Sequence, residues 1–263
     1  MYCGGYRQTS PGGNHLISDI DVVKFASLGN AVNFGDLVGN DPGVSANSSN
    51  QSPTRGFFGG GEPQTYSKID MITIASTGNA IHFGDLTVGR LTVGGAGSQT
   101  SALSFGGAGS PGSTVVTTTG EYNGSGWAIG PTLNTGRYGA GEATNAPQTA
   151  ALCFGGYSSP PNTNRAQTEE YDGSSWSEQG DLPVAMRQLG GFGIQTAAVS
   201  IGGYSSTYIA ESYEYNGSSW TASGDINNTT ERVAGCGLET AGLAMGGNSP
   251  ASPHLSKVEE YNG

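Results

Sequence analysis

The 263 residues carry a net charge of −11, with only ten Lys and Arg scattered singly, which excludes a surface that tracks nucleic-acid phosphates. Hydrophobic residues make up 35% and charged residues 12%, while 46 glycines exceed the ~7% of an average protein more than twofold. Periodic aromatic and β-branched runs set the chain apart from a disordered glycine-rich polymer, and no helical period holds for any useful length. No apolar run of about 20 residues or signal-peptide core appears, so neither membrane insertion nor a Sec-type address is expected.

In chain order, one phrase recurs: an apolar run closed by two glycines, a variable polar loop, then an extended run. The glycine pairs are Gly4-Gly5, Gly59-Gly60, Gly106-Gly107, Gly155-Gly156, Gly202-Gly203 and Gly246-Gly247, spaced 44 to 55 residues apart. The extended runs that follow lie at 20–25, 69–74, 119–122, 168–171, 211–215 and 257–261. A further strand follows each of the first five, in two dialects. The first two copies read LGNAVNFGDL (28–37) and TGNAIHFGDL (77–86), with Phe34 and Phe83. The next three turn at Asn123-Gly124, Asp172-Gly173 and Asn216-Gly217, read as type I′ hairpins, and continue to Trp127, Trp176 and Trp220. Phe34 and Phe83 are expected to replace the tryptophans, each aromatic packing on a neighbouring sheet and contributing about 2–3 kcal/mol by burial.

The copy at 187–222 is the most complete. A small-residue run at 189–194, a Gln195-Thr196 turn, an apolar run at 197–203, the run at 211–215 and a strand at 218–222 make a four-stranded antiparallel meander. A period near 47 with four strands per copy predicts an all-β propeller, because one small twisted sheet must stack radially on its neighbours. The predicted domain is 1–263, with repeats near 1–53, 54–100, 101–149, 150–196, 197–240 and a partial 241–263. The first repeat opens at a second strand and the last stops at a third. Two closures are therefore open: six blade positions, the first and last incomplete, or five blades closing through 232–238 with 241–263 pairing elsewhere.

The apolar run ending in Gly-Gly, the Glu-Glu-Tyr or Tyr-Glu-Tyr, the Trp and the following Arg resemble kelch repeats over essentially the whole chain. The wording STGNAIHFGDLTVGR, with SPTRGFFGGG before it, is also similar to repetitive kelch-like proteins of marine bacteriophages. The resemblance implies a kelch-type propeller and a non-enzymatic role in binding or assembly, as a virion structural protein of tail, fibre or capsid surface. Its partners would be other virion proteins, further copies of the chain, or a host surface protein or glycan. Its location would be the extracellular particle, after synthesis in the host cytoplasm. Other readings are a carbohydrate-active enzyme on the same ring, or a non-viral adhesin or scaffold.

Arg90, Arg137, Arg187 and Arg232 recur at similar phase, either as a ring holding an anionic ligand at a channel mouth or as architectural bridges to Asp85, Asp181 and Asp225. Glu169-Glu170, Glu214 and Glu259-Glu260 read as a solvated strand face, since nothing shows two carboxyls converging on one bond. His15, His82 and His254 lie in different repeats without metal-ligand spacing. Cys3, Cys153 and Cys236 sit in apolar runs as small hydrophobes, with no disulfide framework. The two-histidine copper set of the galactose oxidase type cannot be mapped, and no Gly-Lys-Ser/Thr phosphate loop follows any glycine pair, so no cofactor is expected. Variable loops carry binding residues on rigid scaffolds. Tyr6, Tyr157 and Tyr204, each following a glycine pair, are the candidate contacts for protein or glycan, with turn packing as the other reading.

Overall fold

The computed structural model describes residues 2–10, 13–22, 32–38, 54–61, 67–109, 114–251, 255 and 257–263, and for 2–17 the backbone alone. Within them the chain is an antiparallel β-propeller. Blade 1 contains β1 (Tyr2–Ser10), β2 (Gly13–Val22) and β3 (Val32–Asp36); blade 2 contains β4 (Arg55–Gly59), β5 (Lys68–Thr73) and β6 (Ile81–Asp85). In blade 3, β7 (Gly94–Gly97), β8 (Ala102–Phe105), β11 (Thr119–Tyr122) and β12 (Trp127–Gly130) form the sheet, with a small hairpin of β9 (Ala108–Gly109) and β10 (Thr114–Val115). Blade 4 repeats this with β13 (Gly141–Glu142), β14 (Leu152–Phe154), β17 (Thr168–Tyr171) and β18 (Trp176–Gln179), and a hairpin of β15 (Tyr157–Ser158) and β16 (Thr163–Asn164). Blade 5 is β19 (Gly190–Ile194), β20 (Ala197–Tyr204), β21 (Tyr208–Tyr215) and β22 (Trp220–Ala222). In the sixth sheet, β24 (Ala241–Met245) and β25 (Val258–Tyr261) pair outward from β23 (Ala234–Leu238), so the segment after 240 joins 234–238 rather than pairing elsewhere. No helix among the described residues is long and apolar enough to cross a membrane.

The glycine pairs are the joints between blades. In the five pairs whose torsions are described, the first glycine has φ of 55 to 79° and the second 95 to 142°. These left-handed values cost glycine little and L side chains much. The turned backbone lets the second glycine donate its N–H to the blade that follows: Gly107 to Arg137 O and Gly156 to Met186 O at 2.8 Å, Gly203 to Thr230 O at 2.7 Å. In blade 2 the joint is Gly60-Gly61, one residue later than the sequence pair, because Gly61 N reaches Arg90 O at 3.2 Å while Gly59 stays in β4. Gly4-Gly5 lies in β1, where the register breaks between Cys3 and Gly5. Near the axis β7, β13, β19 and β23 lie side by side. A Cβ on Gly191 would fall 2.5 Å from Glu142 O, and one on Gly235 2.6 Å from Gly191 O, which is why this centre is built from glycine.

Three side-chain devices repeat across the seams. The indole N–H of Trp176 donates to Thr119 Oγ1 of the preceding blade at 3.0 Å, and Trp220 to Thr168 Oγ1 at 2.9 Å. Tyr171, Tyr215 and Tyr261 donate their hydroxyls back to Glu121, Glu170 and Glu214. Gln148 Nε2 caps the carbonyls of Ala102 and Tyr122, and Gln195 Nε2 those of Ala151 and Tyr171. The core consequently lies between sheets: Phe105 meets Trp176 at 5.0 Å and Phe154 meets Trp220 at 4.7 Å.

The two dialects fill opposite sides of a seam. Trp176 and Trp220 pack backwards on the preceding blade, whereas Phe34 packs forward on Phe58, Ile72 and Ala80 of blade 2, and Phe83 forward on Tyr122 at 5.4 Å. Register explains the difference, since Trp127 pairs with Tyr122 at the start of its strand while Phe83 sits next to the Gly84–Ile69 pair at the far end. Where the dialects meet, Phe57, Phe83 and Trp127 share one cluster. Among the described residues the buried Trp127 indole N–H has no hydrogen-bond partner, because blade 2 has Ile69 where blades 3 and 4 offer Thr119 and Thr168. The predicted type I′ turns are also different in form. Tyr215 pairs with Trp220 across four residues, with positive φ only at Gly217, and Asn216 Oδ1 accepts from the backbone N–H groups of Ser218 and Ser219 at 3.0 Å. Asn123 and Asp172 hold their turns in the same way, so the serines and the Asx side chain choose this geometry.

Candidate functional site

The joints assign the arginines. Arg90, Arg137, Met186 and Thr230 are equivalent, since each carbonyl accepts the N–H of a joint glycine. Arg187 therefore falls one position later and Arg232 two, and the four arginines are not one ring.

Arg90 and Arg137 are wholly buried staples within their own blades. Arg137 Nη1 donates to Gly155 O and Gln167 O at 3.2 and 2.7 Å, and Nη2 to the carboxylate of Glu169, itself buried. Arg90 makes the same carbonyl contacts, to Gly106 and Thr118, but blade 3 has Gly120 where blade 4 has Glu169. Its Nη2 turns to Ser104 Oγ at 2.9 Å, and burial pushes its pKa down to about 10. Blade 5 replaces the staple with apolar packing of Met186 and Tyr213, and the buried Ser200 hydroxyl has no partner among the described residues. Neither buried arginine bridges blades to Asp85, Asp181 or Asp225; the carboxylate taken is Glu169.

The next position is different in kind. Leu91, Tyr138, Arg187 and Glu231 each form a backbone bridge with the residue after a glycine pair, respectively Ala108, Tyr157, Tyr204 and Asn248. All lie on the face that carries the variable loops. Over blades 4 and 5 their side chains form one stack. The rings of Tyr138 and Tyr157 meet at 5.5 Å, the Arg187 guanidinium lies 4.9 Å from the Tyr157 ring and 4.7 Å from the Tyr204 ring, and Tyr204 meets Tyr208 at 5.6 Å. Cation–π attraction of this kind is worth about 0.5–2 kcal/mol per ring. Asn164 locks the stack: its Oδ1 accepts from Arg187 Nη1 at 3.2 Å, and its Nδ2 donates to Tyr204 O and Ser205 O at 3.2 and 2.7 Å. Arg165 Nε donates to Ser158 Oγ at 2.7 Å. The four tyrosines and Arg187 all remain partly exposed.

One residue further on, Thr92, Gly139, Gln188 and Arg232 share φ of 50 to 60°. Gln188 N donates to Gly139 O, and Arg232 N to Gln188 O, both at 2.6 Å, which links blades beside the axis. With its amide nitrogen towards Glu231, Gln188 donates to Glu231 Oε2 at 2.7 Å and accepts from Arg232 Nε and Nη2 at 3.2 and 3.1 Å.

The remaining candidates go to separate places. Glu169 and Glu170 point to opposite faces of β17, to Arg137 and Tyr215 respectively, so they do not converge. Burial pushes the Glu170 carboxyl up, with the Tyr215 hydroxyl offsetting part of the shift. Glu259 accepts from Asn227 and Asn228 of the chain leading into blade 6. His82 is exposed, 3.8 Å from Asp85; His15 lies in β2, and His254 lies outside the described residues. Cys153 is buried, which pushes its thiol up to about 12, and Cys236 is half-buried. Among the described residues no three His, Cys, Asp or Glu side chains group as metal ligands.

Tyr157 and Tyr204 are thus brought together, while Tyr6 lies in β1 opposite Leu16 with its side chain outside the described residues. Sequence reasoning missed Tyr138, Asn164 and Tyr208, and grouped Arg187 with the other three arginines, as one ligand ring or one set of architectural bridges. It also passed over the glutamine clamps, although Gln99-Thr100, Gln148-Thr149 and Gln195-Thr196 recur at constant phase. No family model matches the chain, and no curated protein matches it.

Proposed function

We propose that the chain is a non-catalytic binding propeller that engages its partner through the loop face over blades 4 and 5. The carrying observation is where the repeat breaks. The glycine joints and seam bonds beneath are nearly constant, whereas the paired positions above them read Leu91/Ala108, Tyr138/Tyr157, Arg187/Tyr204 and Glu231/Asn248. Architecture accounts for what repeats; the local concentration of partly exposed tyrosine and arginine fits contact with a ligand. The resemblance of 52–61 and 76–90 to phage-encoded kelch-like repeats supports a virion structural role, in a tail, fibre or capsid surface that contacts other virion proteins or the host surface.

Two measurements test this. Mass spectrometry of purified phage particles encoding the chain is expected to find it at stoichiometric level, and its absence overturns the virion role. The purified chain is expected to compete with particle adsorption or assembly, and the Tyr157→Ala/Tyr204→Ala variant to lose that competition. Full competition by this variant removes the loop face from consideration.

A further inference from the structure

Building on the binding-face reading, we propose that Arg187 receives the carboxylate of an acidic sugar, with the flanking tyrosines seating the sugar ring. A guanidinium offers two π faces and five N–H donors in one plane. In Arg187 the guanidinium carbon lies 4.9 Å from the centre of the Tyr157 ring and 4.7 Å from that of Tyr204, and Nη1 donates to Asn164. Among the described residues the Arg187 side chain makes its hydrogen bond through Nη1 and none through Nε or Nη2, and it stays partly exposed. The other arginines of the neighbouring positions differ: Arg90 and Arg137 are sealed inside their blades, and Arg232 directs Nε and Nη2 at Gln188.

A guanidinium packed against two rings and tied by Asn164, with two of its nitrogens left over, is preorganised for a planar, bidentate oxyanion. Arg165, whose backbone pairs with Met186 beside Arg187, adds a second positive charge to the locality. The wider field restricts what can approach. At a net charge of −11 the protein repels a peptide that brings a run of carboxylates, whereas a sugar presents a single carboxylate on a ring with an apolar face. Partly exposed tyrosine rings beside the guanidinium suit that apolar face, and their hydroxyls suit its alcohols.

Titration calorimetry of the whole chain with methyl β-glucuronoside and methyl β-glucoside, which differ only in the carboxylate, tests the assignment. The glucuronoside is expected to bind at least about tenfold more tightly, and Arg187→Lys, which keeps the charge and removes the fork, to lose about tenfold for the glucuronoside alone. Equal binding of the two sugars, or an unchanged Arg187→Lys, overturns the proposal, as does tighter binding of acetyl-Glu-Glu-amide than of either sugar. Should Arg187→Lys fail to fold, the comparison of sugars on the native chain decides. Equal sugar binding together with loss of competition by the tyrosine variant sinks the acidic sugar and leaves the binding face standing.

Discussion

Replacing Glu169 by alanine removes the carboxylate that pairs with the fully buried Arg137. Glu169 accepts from Asn134 N at 2.7 Å, Asn134 Nδ2 at 3.1 Å, Thr135 N at 3.2 Å and Arg137 Nη2. Breaking a buried pair by deleting one partner costs about 3–5 kcal/mol, because the other charge stays desolvated. Here the low end is expected, about 3 kcal/mol, since Arg137 retains the carbonyls of Thr135, Gly155 and Gln167, as Arg90 lives on carbonyls and Ser104 without a carboxylate. Blade 3 also supplies the remedy. Ser104 occupies the register position of Cys153, so Cys153→Ser should give the stranded Arg137 a hydroxyl and restore about 1.5 kcal/mol in the Glu169→Ala background. Urea denaturation of the four proteins of this double-mutant cycle reads the coupling directly. A loss below about 1 kcal/mol for Glu169→Ala, or no favourable coupling, refutes the equivalence of the two staples.

Trp127→Phe is expected to cost about 1 kcal/mol less than Trp220→Phe, because the Trp127 N–H has no partner among the described residues while that of Trp220 bonds Thr168; denaturation midpoints decide. Gly202→Ala, at φ 55° with its Cβ 2.7 Å from Thr230 O, should destabilise by about 2 kcal/mol or more, whereas Gly224→Ala, with open space around it, should stay within about 0.5 kcal/mol. The pH dependence has two opposite contributions. The raised Glu170 stabilises below its ordinary pKa of 4.5, and that stability is lost as pH rises through the higher folded value, so Glu170→Gln should flatten the melting temperature just above pH 4.5. For Glu259, burial pushes the carboxyl up but the Asn227 backbone, the Asn228 and Asn227 amides and Lys257 outweigh it. Its stability is present above pH 4.5 and lost as pH falls through the lowered value, and Glu259→Gln should blunt that acid loss.

The strand pattern was legible because its causes are local. The runs at 119–122 and 168–171 coincide with β11 and β17, and six copies of one phase follow from glycine spacing, whereas the joining of the last copy to 234–238 came only from the fold. The turn type was not legible from Asn-Gly alone, since the Asn216 side-chain Oδ1 accepts from the N–H groups of Ser218 and Ser219, beyond the pair, and lengthens the loop. The offset of the joint at Gly60-Gly61 was equally hidden, because three consecutive glycines are indistinguishable until one of them meets Arg90 O.

The arginines show the division most clearly. Chain order alone establishes how often a strand, a turn and an aromatic return, since alternation and backbone torsion act over a few residues. A shift of one residue in the connection between blades is invisible at that range, yet it carries Arg137 inward to Glu169 and Arg187 outward between two tyrosines. Only packing of adjacent blades decides this, because the carbonyl that fixes the phase and the rings that flank the guanidinium belong to different repeats.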